Sequence, residues 1–421
     1  MGRVRDLLPL IEPGADLIVA MAAGEPDGAL ELLELEFAQL SGVRVHQMHA
    51  AAHRASMDGA YREHLQHVSY FLSASTRAAF EAGTCELVPA DFSAVPRTLQ
   101  EHTRCSLVLA TVSPPDADGW CTLGTNAEYV AALRGRAPFF LEVNEQMPRT
   151  AGDHRIRLED AAGWYEADRP LHTVALRPPD ERDRAIAAHI AERIPDGATV
   201  QLGIGNLPDA VAEALSGHRD LGIHSELIGD GIRQLIESGV ATGARKAVMP
   251  GVAVGTFALG SSELYRWMDR NPAVELHRVD WVNDPAVIAQ DRCVVSVNAT
   301  TEVDLYGQCA SETIAGRYWS SSGGQSDFAH GAVASPRGQS FIALRSTTSS
   351  GRGRIRPILT PGSVVTTSKN VIDHVVTEHG VAELQGRSLS QRAEALIAIA
   401  DPRHRDELRY DARQLGLLRA P

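Results

Sequence analysis

The chain has 421 residues, of which 44% are hydrophobic and 22% charged, and its formal net charge is −13 at pH 7. This length allows a large core divided between two or three domains. The acidic balance argues against a nucleic-acid or anionic-membrane partner, because both need a basic surface.

The N-terminal segment does not read as a signal peptide, since Glu12, Pro13 and Asp16 interrupt its apolar stretch. No run of 18 uninterrupted apolar residues indicates a membrane span. The five cysteines are scattered and never form a Cys-x-x-Cys pair, so we expect neither a disulfide framework nor a zinc knuckle. We predict a cytoplasmic protein with no membrane partner.

Short apolar runs alternate with helical patterns along the chain. The runs typical of buried strands are Ala15–Ala20, Cys105–Ala110, Pro138–Val143, Ala198–Leu202 and Cys293–Val297. Helical spacing of apolar residues marks Gly28–Leu40 and Arg182–Arg193. This alternation predicts an α/β fold with mostly parallel sheets.

An internal repeat indicates how the chain is divided. The segments that begin at Ile11 and Ile194 each contain a Gly-Ala turn, a strand, a glycine-containing loop and a helix with proline in its first turn. We predict two tandem, structurally similar open α/β domains over residues 1–181 and 182–421, with Leu176–Asp183 as linker. Chance similarity of a common strand–loop–helix pattern is the alternative.

A glycine loop follows the strand of the second repeat. Gly203, Ile204 and Gly205 lie between that strand and a helix with Pro208 near its start. Backbone N–H groups in such a loop bind anionic oxygens at a helix N-terminus. The segment matches neither a dinucleotide fingerprint nor a P-loop, and a purely structural turn remains the alternative.

Two further segments are candidates for binding. Gly323, Gly324 and Gln325 belong to a run of small polar residues that we interpret as a pocket loop, with a flexible linker as the alternative. A later segment carries Arg345, Arg352, Arg354 and Arg356, which suit phosphate groups on an acidic protein. A solvated surface loop is the other interpretation.

Metal and serine chemistry are poorly supported. His46, His49 and His53 share a face if their segment is helical, but no His-Glu-x-x-His motif or cysteine partner accompanies them. No Gly-x-Ser-x-Gly nucleophile elbow occurs. We predict no metal site.

A carboxylate follows the last predicted strand. Glu302 comes shortly after Cys293–Val297, and Asp304 lies two residues further on. A carboxylate placed by a rigid strand in a desolvated pocket can act as a covalent nucleophile. Period-two alternation puts both acids on one face, so the local pattern does not choose between them, and a water-facing strand end is the alternative.

Several motifs resemble one family of enzymes in chain order. They are VSPPDADGWCTLG from Val112, EVNEQMPRTAGD from Glu142, GIHSELIGDGI from Gly222, GTFALGSSELYRWMDRNPAVELHRVDWVNDP from Gly255, VNATTEVDLYGQ from Val297, SGGQSDFAHGA from Ser322 and the segment from Arg356 to Arg405. Together they resemble the acetyl-CoA hydrolase/transferase family, class I CoA-transferases that include 4-hydroxybutyrate CoA-transferase. The resemblance covers nearly the whole chain.

The resemblance implies a fold of two similar α/β domains and a catalytic glutamate at Glu302 rather than Asp304. It also implies that Gly323, Gly324 and Gln325 lie near the thioester, and that Thr377–Gly380 forms a second contact region for CoA. With these we group Gly203, Ile204, Gly205 and Gly380 as oxyanion or CoA contacts. The CoA phosphates are assigned to Arg352, Arg354, Arg356 and Lys369.

The implied activity is an acyl-CoA:carboxylate CoA-transferase that works through a Glu302–CoA thioester. CoA thioester is a substrate, no cofactor is bound permanently, and the enzyme is expected to be a homodimer. A thioester hydrolase using the same glutamate and a non-catalytic acyl-CoA-binding protein are the alternatives.

Two departures from the family pattern lie close to the implied site. Thr301, after Thr300, stands where the family has an aliphatic residue, and Ser321 stands where it has a glycine. We interpret both as changes to the acyl pocket, with an impaired or repurposed site as the alternative.

Overall fold

Strands and helices alternate along residues 2–174 and 178–419, the part of the chain that the computed structural model describes. The strands are β1 (Asp16–Val19), β2 (Val43–Gln47), β3 (Leu65–Ser69), β4 (Cys85–Leu87), β5 (Leu107–Val112), β6 (Trp120–Thr122), β7 (Phe139–Asn144), β8 (Arg155–Arg157), β9 (Gly163–Ala167), β10 (Thr199–Leu202), β11 (Gly222–Ile223), β12 (Leu227–Ile228), β13 (Ala253–Gly255), β14 (Phe257–Ala258), β15 (Val274–Leu276), β16 (Val294–Ala299), β17 (Glu302–Asp304), β18 (Cys309–Ala310), β19 (Thr313–Ile314), β20 (Arg317–Tyr318), β21 (Gln339–Ala343), β22 (Ile355–Arg356), β23 (His374–Thr377) and β24 (Gly380–Glu383).

The helices begin and end as follows: α1 (Asp27–Leu35), α2 (Arg77–Glu81), α3 (Val95–His102), α4 (Glu181–Ala191), α5 (Asn206–Ala214), α6 (Asp230–Glu237), α7 (Ser262–Met268), α8 (Val279–Val282), α9 (Pro285–Ile288), α10 (Gln325–Ala334), α11 (Leu389–Ile399) and α12 (Arg405–Gln414). Within the described residues, none of them has both the length and the apolar character that a bilayer crossing needs.

The chain divides into two compact units. Unit 1 is Met1–Ala175 with Val254–Val282, and unit 2 is Leu176–Ala253 with Asn283–Pro421. Segment 254–282 thus packs with the earlier part of the chain. The domain ranges 1–181 and 182–421 stay a prediction. The predicted linker Leu176–Asp183 lies partly outside the described residues, and its end is already helical.

Unit 1 contains a seven-stranded sheet in the order β4-β3-β2-β1-β5-β7-β9, with every neighbouring pair parallel. All residues of β1, β5 and β7 are buried. Parallel strands are covered on both faces and therefore read as continuous apolar runs. The three strands predicted in this unit are confirmed.

Unit 2 contains a six-stranded sheet in the order β11-β10-β16-β21-β23-β24, parallel except for the antiparallel last pair. β10 and β16 confirm the two strands predicted here, and the α/β class with mostly parallel sheets is confirmed. The chain leaves β10 toward β11 on one side and returns to β16 on the other. Ligands of open α/β sheets bind at the carboxyl ends of strands around such a switch point.

The two repeat segments adopt matching structures. Gly14 and Gly197 precede β1 and β10, and both have left-handed backbones, with φ of 71° and 79°. Each strand lies between two parallel neighbours and leads to a helix. A residue with a side chain is strained in this conformation, so the glycine of each turn has a physical reason.

The two predicted helices exist with different ends. The helix predicted at Gly28–Leu40 spans Asp27–Leu35 and is followed by a 3₁₀ turn at Phe37–Gln39. The helix predicted at Arg182–Arg193 spans Glu181–Ala191, because Asp180 caps its first turn by accepting from two backbone N–H groups.

Candidate active site

Glu302 is buried at the start of β17, just beyond the end of β16. Only 8% of the residue is exposed, so the water-facing alternative is wrong. Its Oε1 accepts from the Thr360 N–H (2.9 Å) and the Ser363 hydroxyl (2.8 Å), and its Oε2 accepts from the Thr360 hydroxyl (2.7 Å). These three donors hold the Glu302 carboxylate in place. To attack a thioester, Glu302 would first have to break these hydrogen bonds.

Asp304, the second acid of this segment, has a structural role. Its Oδ1 accepts from the backbone N–H groups of Tyr306 (3.1 Å) and Gln308 (2.9 Å), and the Gln308 amide donates to its Oδ2 at 2.7 Å. Burial raises the pKa of this carboxyl. Asp304 therefore closes the turn between β17 and β18.

The two threonines before Glu302 hold the bend between β16 and β17. The Thr301 hydroxyl contacts the carbonyl oxygens of Ala310 and Thr313, both at 2.6 Å. The Thr300 hydroxyl donates to the Ala310 carbonyl at 2.9 Å. These contacts give the threonines a backbone-bracing role, and their interpretation as acyl-pocket residues stays a prediction.

A pocket of about 100 Å³ opens beside Glu302. Its lining combines hydroxyl groups, small apolar groups and three arginines: Thr301, Glu302, Ile314, Ala315, Thr348, Arg352, Gly353, Arg354, Arg356 and Thr360. Lys369 is not part of this lining, and its carbonyl accepts from Arg392 at 2.8 Å. The structure thus brings three of the four predicted phosphate residues together.

The Gly323–Gln325 segment forms the N-terminus of α10. Gly323 has a left-handed backbone with φ of 55°. The buried Gln325 side chain lies 3.1 Å from the Thr367 hydroxyl and 3.4 Å from the Cys309 sulfur. The flexible-linker alternative is wrong, because this segment is buried and hydrogen-bonded.

Gly324 lies against a carboxylate that the sequence analysis did not select. A Cβ added at Gly324 would lie 1.9 Å from Glu226 Oε2 and 2.3 Å from Asn283 Nδ2. The Gly324 N–H donates to the Glu226 carboxylate, and the Asn283 amide donates to it at 2.8 Å. Glycine at this position is therefore required for the close approach of Glu226 to the start of α10.

Burial and, to a smaller extent, the nearby charge of Asp327 raise the pKa of Glu226, against the lowering effect of its two donors, and the net pKa is about 7. The Asn283 amide also reaches Asp327, at 3.4 Å. An anion held at a cost in solvation is a stronger nucleophile than one already neutralised by hydrogen bonds. The carboxylate of Glu226 has two hydrogen-bond donors, and that of Glu302 has three.

The predicted glycine loop Gly203–Gly205 lies next to Glu226. The Ser225 hydroxyl donates to the Leu202 carbonyl at 2.9 Å, and the Leu202 N–H donates to that hydroxyl at 3.3 Å. Glu226 and Gly203 follow these two residues at the carboxyl ends of β11 and β10. The glycine loop, Glu226 and Gly324 thus meet at the switch point of the unit 2 sheet.

Gly380 opens β24 after a tight turn, with φ of 136°. In the same Thr377–Gly380 segment, the Thr377 hydroxyl donates to the Ile399 carbonyl at 2.6 Å. Glu378 accepts from the Ser346 N–H (2.8 Å) and hydroxyl (2.9 Å). The CoA contact at Gly380 stays a prediction.

The helical face suggested for the histidines is wrong, because His46 lies in β2. Its ring nitrogens contact Asp16 (3.2 Å) and Tyr70 (3.1 Å). His53 contacts Asp58 at 2.9 Å. The residues of this segment are thus parts of separate hydrogen-bonded pairs.

One group in unit 1 has the composition of a metal site. Ligand atoms of Glu25, Asp27 and His172 lie within 4.8 Å of one another. Arg54 lies 2.8 Å from Glu25 and 2.5 Å from Asp27, and Arg169 lies 3.2 Å from Asp27. Guanidinium groups already neutralise these carboxylates, so the group is an ion-pair cluster.

Family models match most of the chain. The acetyl-CoA hydrolase/transferase N-terminal domain matches residues 3–193, and the C-terminal domain of the same family matches residues 260–412. The chain belongs to the acetyl-CoA hydrolase/transferase family. The resemblance inferred from the motifs is therefore confirmed.

Two relatives that match nearly the full length of the chain are CoA-transferases. A succinyl-CoA:cyclohexane-1-carboxylate CoA transferase of Geobacter metallireducens is 39% identical, over 97% of this chain and 93% of its own length. A 4-hydroxybutyrate coenzyme A transferase of Clostridium kluyveri is 40% identical, over 94% of each chain. An acetyl-CoA hydrolase of Neurospora crassa is 28% identical over 57% of this chain and 46% of its own length.

Solved structures of the family share the fold. RipA from Yersinia pestis superposes with a TM-score of 0.94, with 34% identity over 99% of this chain and 98% of that chain. A 4-hydroxybutyrate CoA-transferase from Porphyromonas gingivalis superposes with a TM-score of 0.83, with 32% identity over 99% and 97% of the two chains.

Glu226 lies in the family motif GIHSELIGDGI, but its local sequence did not indicate a functional role. β11, the strand before it, has only two residues, so no apolar run marked its carboxyl end. A usable signal was a Ser-Glu pair in one family motif together with paired glycines in another. Nothing local indicated that residues 226 and 324 touch.

Proposed function

We propose that this chain is an acyl-CoA:carboxylate CoA-transferase with Glu226 as its covalent nucleophile. Relatives along nearly the full length with that class of activity support the reaction type. The observation that carries the choice of nucleophile is the Glu226 carboxylate against the Gly324 N–H, with a raised pKa.

The reaction proceeds in two matched halves. The Glu226 carboxylate attacks the thioester carbonyl of the donor acyl-CoA, which forms a mixed anhydride and releases CoA thiolate. The thiolate attacks the glutamyl carbonyl, which forms the Glu226–CoA thioester and releases the donor carboxylate. The acceptor carboxylate then reverses these steps, leaves as the new acyl-CoA and restores the Glu226 carboxylate. CoA is a substrate, and no bound cofactor takes part.

Donors around Glu226 suit the tetrahedral intermediates. The N–H of Gly324 and the amide of Asn283 already point at the carboxylate oxygens, where negative charge develops when the glutamyl carbonyl is attacked. The start of α10 adds its partial positive charge. One such donor is typically worth about 3–4 kcal/mol to the reaction. The Gly203–Gly205 loop is proposed as a further source of N–H groups.

Glu302 stays the competing nucleophile predicted from the motif resemblance. The Glu302 carboxylate accepts three hydrogen bonds from Thr360 and Ser363, and these would have to break before it could attack a thioester. For Glu226, burial and the Asp327 charge keep the anion reactive. We therefore assign the covalent step to Glu226.

The pH dependence of kcat/KM is expected to follow the Glu226 carboxyl. The reaction needs the anion, so kcat/KM should rise with pH and level off above a midpoint of about 7. Asp327→Asn removes a negative charge and should move this midpoint to lower pH. Initial rates at subsaturating acyl-CoA from about pH 4 to pH 9 measure both curves. A wild-type midpoint near pH 4.5, the ordinary range for glutamate, would contradict the assignment.

A thioester hydrolase is the second candidate, since acetyl-CoA hydrolases occur among the more distant relatives. A non-catalytic acyl-CoA-binding protein is the third. Acceptor dependence separates them. With a panel of short-chain acyl-CoAs, a transferase forms new acyl-CoA only when a second carboxylate is added, and it releases little free CoA without one. Steady CoA release in water would establish the hydrolase, and no turnover with any donor would leave only binding.

We also propose that the enzyme acts in the cytoplasm as a homodimer. All five cysteines are unpaired, which suits a reducing compartment. Homodimerisation rests on the family resemblance, and size-exclusion chromatography with light scattering tests it.

A further inference from the structure

The pocket beside Glu302 carries an excess of positive charge although the whole chain is acidic. Three arginines and one carboxylate line it, which leaves two positive charges in excess. Phosphate monoesters carry a charge of about −1.5 to −2 at pH 7. The charge of the lining therefore matches a phosphate monoester better than a singly charged carboxylate or a phosphodiester.

The guanidinium groups of this pocket have buried donors that lack an acceptor. The Nε atoms of Arg354 and Arg356 are buried with no hydrogen-bond partner among the described residues. Arg345, nearby in sequence, shows the contrast: it pairs with Asp183 at 2.7 Å and with Asp180 at 3.0 Å. Buried donors are normally paired, so these two point to a ligand acceptor.

Electrostatics support the same conclusion for Arg354. Burial lowers the pKa of its guanidinium, and the charge of Arg345 lowers it further, while Glu378 acts in the opposite direction. A bound anion would offset the positive charge of Arg345 and the cost of burying the Arg354 guanidinium. It would also supply a hydrogen-bond acceptor to that guanidinium.

Arg352 and Arg354 lie on a braced hairpin, and Arg356 follows in β22, which pairs with β17. The Thr348 N–H donates to the Arg352 carbonyl, and the Arg354 N–H donates to the Ser346 carbonyl, both at 2.9 Å. Glu378 holds the base of this hairpin through its two hydrogen bonds to Ser346. A site whose donors are fixed before binding loses less entropy when the ligand arrives.

The pocket is large enough for a phosphate group. Its volume of about 100 Å³ is several times the roughly 10–15 Å³ that one water molecule needs by the same measure.

We infer that Arg352, Arg354 and Arg356 form a binding site for a phosphate monoester, which on the proposed function is the 3′-phosphate of CoA. CoA carries this monoester at the end remote from its thiol. Within unit 2, the Gln325 side chain next to Gly324 contacts Cys309, which pairs with Val303 beside Glu302. These contacts link the start of α10, where Gly324 meets Glu226, with the strand that carries Glu302 and borders the arginine pocket.

Calorimetric titration of the full chain with CoA and with 3′-dephospho-CoA tests the site without knowledge of the acyl group. Wild type should bind CoA about 10- to 100-fold more tightly, as expected for charged hydrogen bonds. Arg356→Gln and Arg352→Gln should each reduce this preference and leave the affinity for dephospho-CoA unchanged. Arg409→Gln, on the exposed side of α12, is the matched control and should keep the wild-type preference.

Equal wild-type affinities for the two compounds would overturn the site, as would an undiminished preference in both pocket variants. Binding of inorganic phosphate that is lost in Arg356→Gln, together with equal affinities for CoA and dephospho-CoA, would overturn the assignment to CoA. The acceptor-dependence assay is separate. A chain that prefers CoA over dephospho-CoA but transfers no CoA would retain this site and refute the proposed reaction.

Discussion

Glu226→Gln is expected to lower kcat for CoA transfer by about 10⁴-fold or more, the scale seen when a covalent nucleophile is removed. Glutamine keeps the size of the side chain and can still accept from Gly324 and Asn283, so the fold should survive. It cannot form the anhydride or the thioester. The loss therefore reports on covalent chemistry rather than on packing.

Trapping the intermediate measures this effect directly. The enzyme is incubated with acyl-CoA, reduced with borohydride, and digested for mass spectrometry. We expect the modified residue to be Glu226 and the modification to be absent from Glu226→Gln. Glu302→Gln is the matched control, because it makes the same change in the other candidate carboxylate.

The two glutamates give opposite expectations. If Glu226 is the nucleophile, Glu302→Gln keeps the adduct and most of the turnover, although loss of charge at its three hydrogen bonds should reduce stability. An adduct on Glu302, or turnover in Glu226→Gln close to that of wild type, would reverse the assignment.

Gly324→Ala is expected to lower kcat by about 10²- to 10³-fold, comparable to the loss of an oxyanion donor. The new methyl group would lie 1.9 Å from the Glu226 carboxylate and 2.3 Å from the Asn283 amide. It must push the carboxylate away from the Gly324 N–H. The residue lies at the helix N-terminus with φ of −97°, a backbone that alanine adopts freely, so the helix itself should form.

Gly217→Ala provides the control for this substitution. Nothing lies within 4 Å of a Cβ added there, and both activity and the unfolding midpoint should remain at wild-type values. Steady-state rates and urea unfolding of the two variants separate the effects. If Gly324→Ala is as active as wild type, close packing of Glu226 on α10 has no part in the reaction.

Five strands of the two main sheets, β1, β5, β7, β10 and β16, were predictable because their local pattern is strong. β5, β7 and β10 are buried at every residue, and continuous apolar runs are typical of parallel strands covered on both faces. Helix ends were less predictable. The helix predicted to reach Leu40 stops at Leu35, since the apolar spacing continues through a 3₁₀ turn that propensity does not distinguish.

The sequence indicated the glycines that lie near Glu226 and did not indicate Glu226 itself. Gly203, Gly205 and Gly324 stood out because loops without side chains let backbone N–H groups approach a ligand. Glu302 stood out because it followed a long buried strand. The strand before Glu226 has only two residues, so no alternation of apolar and polar residues could reveal it.

The amino-acid sequence by itself determined the α/β class, the paired strand–loop–helix units and the family, because these depend on residues close together in the chain or on motifs in fixed order. Only the tertiary structure placed the Glu226 carboxylate against the Gly324 N–H, in surroundings that raise its pKa. That pKa depends on burial and on Gly324, Asn283 and Asp327, groups that lie far from Glu226 in sequence and come within a few ångströms of it only when the sheet of unit 2 forms.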